Sequence, residues 1–191
     1  MVRTMAVAEA ALAAGWDVVF SGDVESAMGR ELVEARCPVR HPRPDSAEDL
    51  VQLAREAEAD VVHIDTYAEQ GEARALLNEA GILLSSMEDG PFGRRPADLA
   101  VDPSPAAETR YRPADGSHRL LRGAAAIPIR GAIRALPTAS PRPADAEPGK
   151  PNMMIVMGGT DARDMTARCL GWWAQTGIPS RCYVVSAVRP E

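Results

Sequence analysis

The sequence predicts an α/β fold built on an open, mostly parallel, Rossmann-like sheet over residues 1–135. Three observations predict it. Short apolar runs alternate with helical stretches of ten residues or more, the pattern of βαβ units. The runs are apolar without strict alternation, as suits strands covered on both faces. Gly15 and Gly81 each stand where a helix should stop and a strand begin.

The elements follow in order. Residues 1–14 read as a helix with Met5, Ala8 and Leu12 on an apolar face, and Asp17 to Ser21 as a strand. A second helix runs from Ser26 to about Ala35, followed by an extended piece over 38–44. Ser46 and Asp49 form an S-x-x-D capping signal for a helix over 46–58. Residues 61–65 form the next strand, 69–80 a helix, and 82–86 a further strand. After Met87 the order weakens. Leu99-Ala100-Val101 reads as a short strand, and Leu120 to Ile133 is an ambiguous segment broken by Pro128.

Residues 136–151 hold five prolines in sixteen positions and almost no large apolar side chains, so they read as a semi-rigid linker. The α/β pattern then restarts over 152–191. Residues 153–157 form a strand, 158–161 a tight turn, 165–175 a helix and 181–185 a strand. An open parallel sheet normally starts with a strand, whereas this pattern starts in the helix that should follow one. The expectation is therefore a fragment, a degenerate version or a misassigned start.

Composition narrows the function. The net charge of −6 argues against a nucleic-acid groove, which needs a basic face, and against adsorption to an anionic membrane. No apolar run is long enough to span a bilayer, and Glu9 interrupts the one stretch that could imitate a secretory signal. The three cysteines, Cys37, Cys169 and Cys182, are odd in number and lack C-x-x-C spacing. They read as buried thiols in a reducing compartment, and a cytoplasmic location is expected. With three Trp, three Tyr and two Phe, the core must be largely aliphatic.

In open α/β sheets, ligands bind beyond the carboxyl ends of the strands. Asp65 and Tyr67 lie at one such end, where a carboxylate and a phenol could orient a polar ligand; alternatively Asp65 caps a helix and Tyr67 packs on the rim. His63, in mid-strand, reads as buried and hydrogen-bonded rather than as a base. Gly158, Gly159 and Thr160 sit between a strand and a helix, where backbone N–H groups can approach a phosphate. Asp161 would repel a phosphate and is expected to cap the helix. Glu88 and Asp89 read as a solvated loop, with base or metal ligation as the alternative. His41 and His118 lie in polar loops. No metal-ligand spacing, G-x-S-x-G or Walker lysine is present.

Several segments together resemble the spore-coat-polysaccharide biosynthesis proteins related to the UDP-sugar hydrolase of the pseudaminic-acid pathway. These are two-domain proteins of glycosyltransferase-B type, similar to the MurG transferase. The carriers are Val2-Arg3-Thr4-Met5 with Gly15-Trp16-Asp17, Val62-His63-Ile64-Asp65-Thr66-Tyr67, Glu88-Asp89, Ala97-Asp98-Leu99, Leu120-Leu121-Arg122-Gly123 and Met157-Gly158-Gly159-Thr160-Asp161. The resemblance implies hydrolysis of a UDP-linked deoxyaminosugar without a cofactor. It implies Asp65 and Tyr67 in the sugar cleft and Gly158, Gly159 and Thr160 near the nucleotide phosphates. The family's catalytic histidine would precede Met1, so no catalytic residue is assigned, and Val101-Asp102-Pro103-Ser104 departs from the family's asparagine-bearing segment. The alternatives are a non-catalytic binding or oligomerising remnant, which could form a homo-oligomer through an exposed sheet edge, and a glycosyltransferase.

Overall fold

The computed structural model describes residues 2–24, 27–37, 40–68, 72–137, 151–157, 161 and 163–185. The chain divides into two compact units, Met1–Leu136 and Pro137–Glu191. Most of the Pro-rich segment and the turn residues 158–160 lie outside the described residues.

Unit 1 is mixed α/β, with helices α1 (Val2–Ala13), α2 (Ala27–Arg36), α3 (Ala47–Glu56), α4 (Ala73–Glu79) and α5 (Gly131–Arg134). Its strands are β1 (Phe20–Ser21), β2 (Arg40–His41), β3 (Val61–Ile64), β4 (Leu83–Met87), β5 (Leu99–Asp102) and β6 (Arg119–Arg122). They form a four-stranded sheet in the order β3-β4-β5-β6 and a separate pair β1-β2, with every pairing parallel. An open Rossmann-like sheet is thus present, but as two pieces.

Three helices are stopped by one device before a strand segment begins. At the end of α1, the Trp16 N–H reaches Ala11 O and the Gly15 N–H reaches Leu12 O. That is the Schellman pattern, and it needs the left-handed φ of 82° that Gly15 adopts. The same pair of bonds closes α4 at Gly81, and closes α3 at Glu58. Glu58 holds φ 50°, a conformation that costs an L-residue about 1–2 kcal/mol. Replacing Glu58 by Gly should therefore raise stability, by roughly 0.5–1 kcal/mol once the glycine's own chain entropy is subtracted. A thermal melt of the variant checks this.

The capping signal at Ser46 forms as expected, with the Asp49 N–H donating to Ser46 Oγ at 3.0 Å. This starts α3, whose Leu50, Val51 and Ala54 are buried with Leu77 of α4 and with Ile64, Leu84 and Ala100 of the sheet. A second cluster joins Met5 and Ala8 of α1 to Val33 and Cys37, with Phe20 beside them. Cys37 is buried, while Cys169 and Cys182 are half-buried; all three are free thiols.

Some expectations change. The strand expected over 17–21 is confined to Phe20–Ser21. Burial on both faces holds for Leu84, Ser86 and Met87 but fails at Val61 and Leu83, which are 39% and 54% exposed. The ambiguous stretch after Leu120 resolves into β6, a 3-10 turn and α5. His41 lies in β2 and is half-buried, whereas His118 is exposed.

Unit 2 contains β7 (Asn152–Val156), α6 (Met165–Gln175) and β8 (Arg181–Val185), one parallel βαβ unit. Among its described residues Ile155 is the deeply buried apolar side chain, while Met154, Val156 and Trp172 are more than half exposed. The Asp161 carboxylate accepts the Met165 and Thr166 N–H groups at 2.8 and 2.9 Å, so it caps α6 as expected. Among the described residues, no helix is long and apolar enough to cross a membrane.

Candidate functional site

A cavity of about 440 Å³ opens in unit 1 between β1 and β3. Its lower walls are apolar: Phe20 from β1, Leu50 and Ala54 from α3, and Val61 and Val62 from β3. Its rim is polar and collects the residues that follow β1, β2 and β3, namely Gly22-Asp23, Arg43-Pro44 and Asp65-Thr66, together with Thr4 of α1. Ser21 Oγ donates to Pro42 O at 2.7 Å and ties two of these loops together.

Asp65 lines this cavity, but its carboxylate is already engaged. Arg3 Nη2 and Nε donate to Oδ1 at 2.6 and 2.9 Å, and Thr4 Oγ1 donates to Oδ2 at 2.8 Å. The Asp65 side chain is 5% exposed. Burial works to raise its pKa, yet the bonds from Arg3 and Thr4 outweigh burial and hold the carboxyl below its ordinary value. A carboxylate so held is a poor proton acceptor. Its visible role is to fasten the first turn of α1 to the carboxyl end of β3.

Tyr67 does not line the cavity. It is 59% exposed, meets the Phe92 ring edge-on at 6.0 Å, and donates to Asp89 Oδ2 at 3.3 Å. The link between Asp65 and Tyr67 is Arg3, whose guanidinium lies 6.0 Å from the Tyr67 ring centroid. Both members of the expected pair are thus placed near Arg3, a residue that sequence reasoning quoted but gave no role. Spacing could not reveal it, because Arg3 and Asp65 are 62 positions apart.

Close approach of backbone shapes the Tyr67 side of this region. Gly93 has φ 69°, and a Cβ there would lie 3.1 Å from Met87 O and 3.2 Å from Thr66 O. Arg95, almost fully buried, bonds Thr66 O through Nη2.

His63 donates or accepts through Nδ1 at 2.9 Å from Ser85 Oγ, while its buried Nε2 has no hydrogen-bond partner. Burial pushes its pKa down, so the ring is held neutral. The unfolded chain then binds more protons than the fold between His63's lowered value and its ordinary 6.5. Stability should fall as pH drops below about 6.5, and His63→Gln should flatten that limb. A second loss should begin near the ordinary aspartate value of 3.8, where the unfolded chain takes up a proton that the lowered carboxyl of folded Asp65 still excludes. Urea midpoints across pH 3–7 measure both limbs.

The acidic pair after β4 splits: Asp89 is exposed, as expected of a solvated loop, and Glu88 is not. Glu88 is 2% exposed rather than solvated, and Arg112 grips it through Nε–Oε1 at 2.7 Å and Nη2–Oε2 at 2.8 Å. Arg112 also binds Asp115 at 2.8 Å. Burial opposes the charge on Asp115, but bonds from Arg112 and Ser117 outweigh it and keep the carboxyl below its usual range. This knot holds the loop before β6 against the end of β4. Among the described residues, no group of three or more His, Cys, Asp or Glu side chains is arranged to hold a metal ion. The expected phosphate contacts Gly158, Gly159 and Thr160 lie outside the described residues.

No protein-family model matches this chain, and no curated protein is matched to it by sequence.

Proposed function

We propose that this chain binds a nucleotide-sugar, in the manner of a UDP-deoxyaminosugar hydrolase with glycosyltransferase-B architecture, and that the rim above β1, β2 and β3 receives the polar ligand. The observation that carries this reading is the cavity itself. It opens at the carboxyl ends of parallel strands, where open α/β sheets take their ligands. Arg43 at the rim supplies a cation for a phosphate or sugar oxygen, and Ser21, Gly22 and Thr66 supply neutral polar groups.

Binding outruns catalysis in this reading. Among the described residues of the cavity, Asp65 is locked to Arg3, and His63 is partly buried with its ring neutral. Neither is poised to activate water.

Calorimetric titration with UDP, using UMP and ADP as controls, tests the proposal. Selective UDP binding is expected, and Arg43→Ala should weaken it about tenfold or more, the usual worth of a charge-assisted hydrogen bond. No heat from a sample shown to be folded by circular dichroism would refute it.

A further inference from the structure

We infer that the carboxyl end of β3 is an oxyanion subsite of the rim, and that Arg95 is the cation that receives the ligand there. The inference rests on the rim being the binding site, and it adds the class of group the ligand presents.

Arg95 is buried in an unusual way. Arg112, whose side chain is 3% exposed, meets two carboxylates, those of Glu88 and Asp115. Arg95 is 5% exposed, yet its hydrogen bonds run to neutral carbonyls. Its Nε donates to Gly93 O at 3.2 Å and its Nη2 donates to Thr66 O. Its Nη1 is buried without a hydrogen-bond partner. The carboxylate whose charge acts on Arg95 is that of Asp65, which is already bonded to Arg3 and Thr4. Two guanidinium groups thus share one carboxylate at the end of β3, and one positive charge is left over. Arginine keeps its proton even when buried, and a buried charge that lacks a full partner is costly. Binding sites are where folds retain such charges.

The position suits a ligand. Asp65 and Thr66 both line the cavity, and Arg43 lines it from the loop after β2. Against these cations stand Asp23, after β1, and Asp65, which Arg3 neutralises. The Thr66 carbonyl is the exchangeable partner of Arg95. An oxyanion is a stronger acceptor for a guanidinium than a neutral carbonyl is, because both partners are then charged. It takes Nη2 from Thr66 and gives Arg95 the counter-charge it lacks. The planar fork of a guanidinium matches phosphate and carboxylate alike, so the oxyanion belongs either to the nucleotide's phosphates or to an acid group on the sugar.

Calorimetric titration of the full chain with inorganic pyrophosphate and with glucuronate tests this, one probe for each source. At least one of them should bind at about millimolar concentration, and Arg95→Met should weaken it about tenfold or more. The urea midpoint of Arg95→Met should stay level or rise, because a buried charge without a full partner has been removed. A lower midpoint with unchanged affinity would make Arg95 a mere clip between Thr66 and Gly93 and would overturn the inference. Where both fall, Arg95→Lys decides: recovered affinity supports the subsite, and unrecovered affinity overturns it. Failure of both probes to bind a folded sample overturns it too. The nucleotide-sugar reading fails separately. UDP binding that ignores Arg95→Met upholds that reading and sinks the subsite, whereas Arg95-dependent pyrophosphate binding with UDP no better than ADP does the reverse.

Discussion

Replacing Arg112 by alanine is expected to lower the unfolding free energy of unit 1 by about 3–5 kcal/mol. The reason is what remains behind. Glu88 is 2% exposed, and Arg112 meets both of its carboxylate oxygens. The other cation near it is Arg94, at 3.9 Å. Removal of Arg112 leaves a buried carboxylate without its main partner, and burying a charge unpaired costs far more than the pair itself contributes. Asp115 loses its guanidinium partner in the same step. The double replacement Glu88→Met with Arg112→Met should recover much of the loss, because it leaves no orphaned charge. Urea unfolding of the single and double variants measures both effects. A loss below 1 kcal/mol for Arg112→Ala would show that water reaches Glu88.

Leu77→Ala should cost about 2–5 kcal/mol. Leu77 is fully buried in the cluster that joins α3, α4 and the sheet. Truncation removes the transfer energy of its methyl groups and leaves a void between well-packed neighbours. The surroundings have little room to collapse, because α4 is pinned from outside. Arg74 Nε and Asn78 Nδ2 both donate to Asp98, which also accepts the Leu84 N–H at 2.8 Å. A domain is typically stable by only 5–15 kcal/mol, so this one change takes a large share. Denaturant midpoints, with the slope compared to the parent chain, provide the measurement.

Much of the fold was legible because its signals are local. Helix α6 and strand β8 begin and end where Met165, Gln175, Arg181 and Val185 were expected to bound them. Periodicity and flanking turns are contained within those segments. The Ser46 cap likewise depends on residues three apart. The site was less legible, because its contacts are long-range. Asp65 was read as either a ligand contact or a helix cap, and it proves to hold Arg3, 62 positions earlier. Glu88 looked like a loop acid because Arg112, 24 residues later, carries no pattern that pairs the two. The shortness of β1 could not be read from Asp17-Val18-Val19 either. An apolar run becomes a strand only where a partner lies beside it, and β1 pairs through Phe20 and Ser21 alone. Burial of the sheet faces was overestimated as well, since Val61 lines the open cavity and is 39% exposed.

We have proposed that the carboxyl-end rim of unit 1 takes a nucleotide-sugar. The most direct measurement is a ¹H–¹⁵N NMR titration of the chain with UDP, beside ADP at equal concentration. Saturable shifts are expected for UDP, concentrated at Thr4, Gly22, Asp23, Arg43 and Thr66, the residues around the cavity mouth. Little change is expected at Tyr111 or His118, exposed positions outside the lining of the cavity. Shifts absent from the rim, or equal for UDP and ADP, would contradict it.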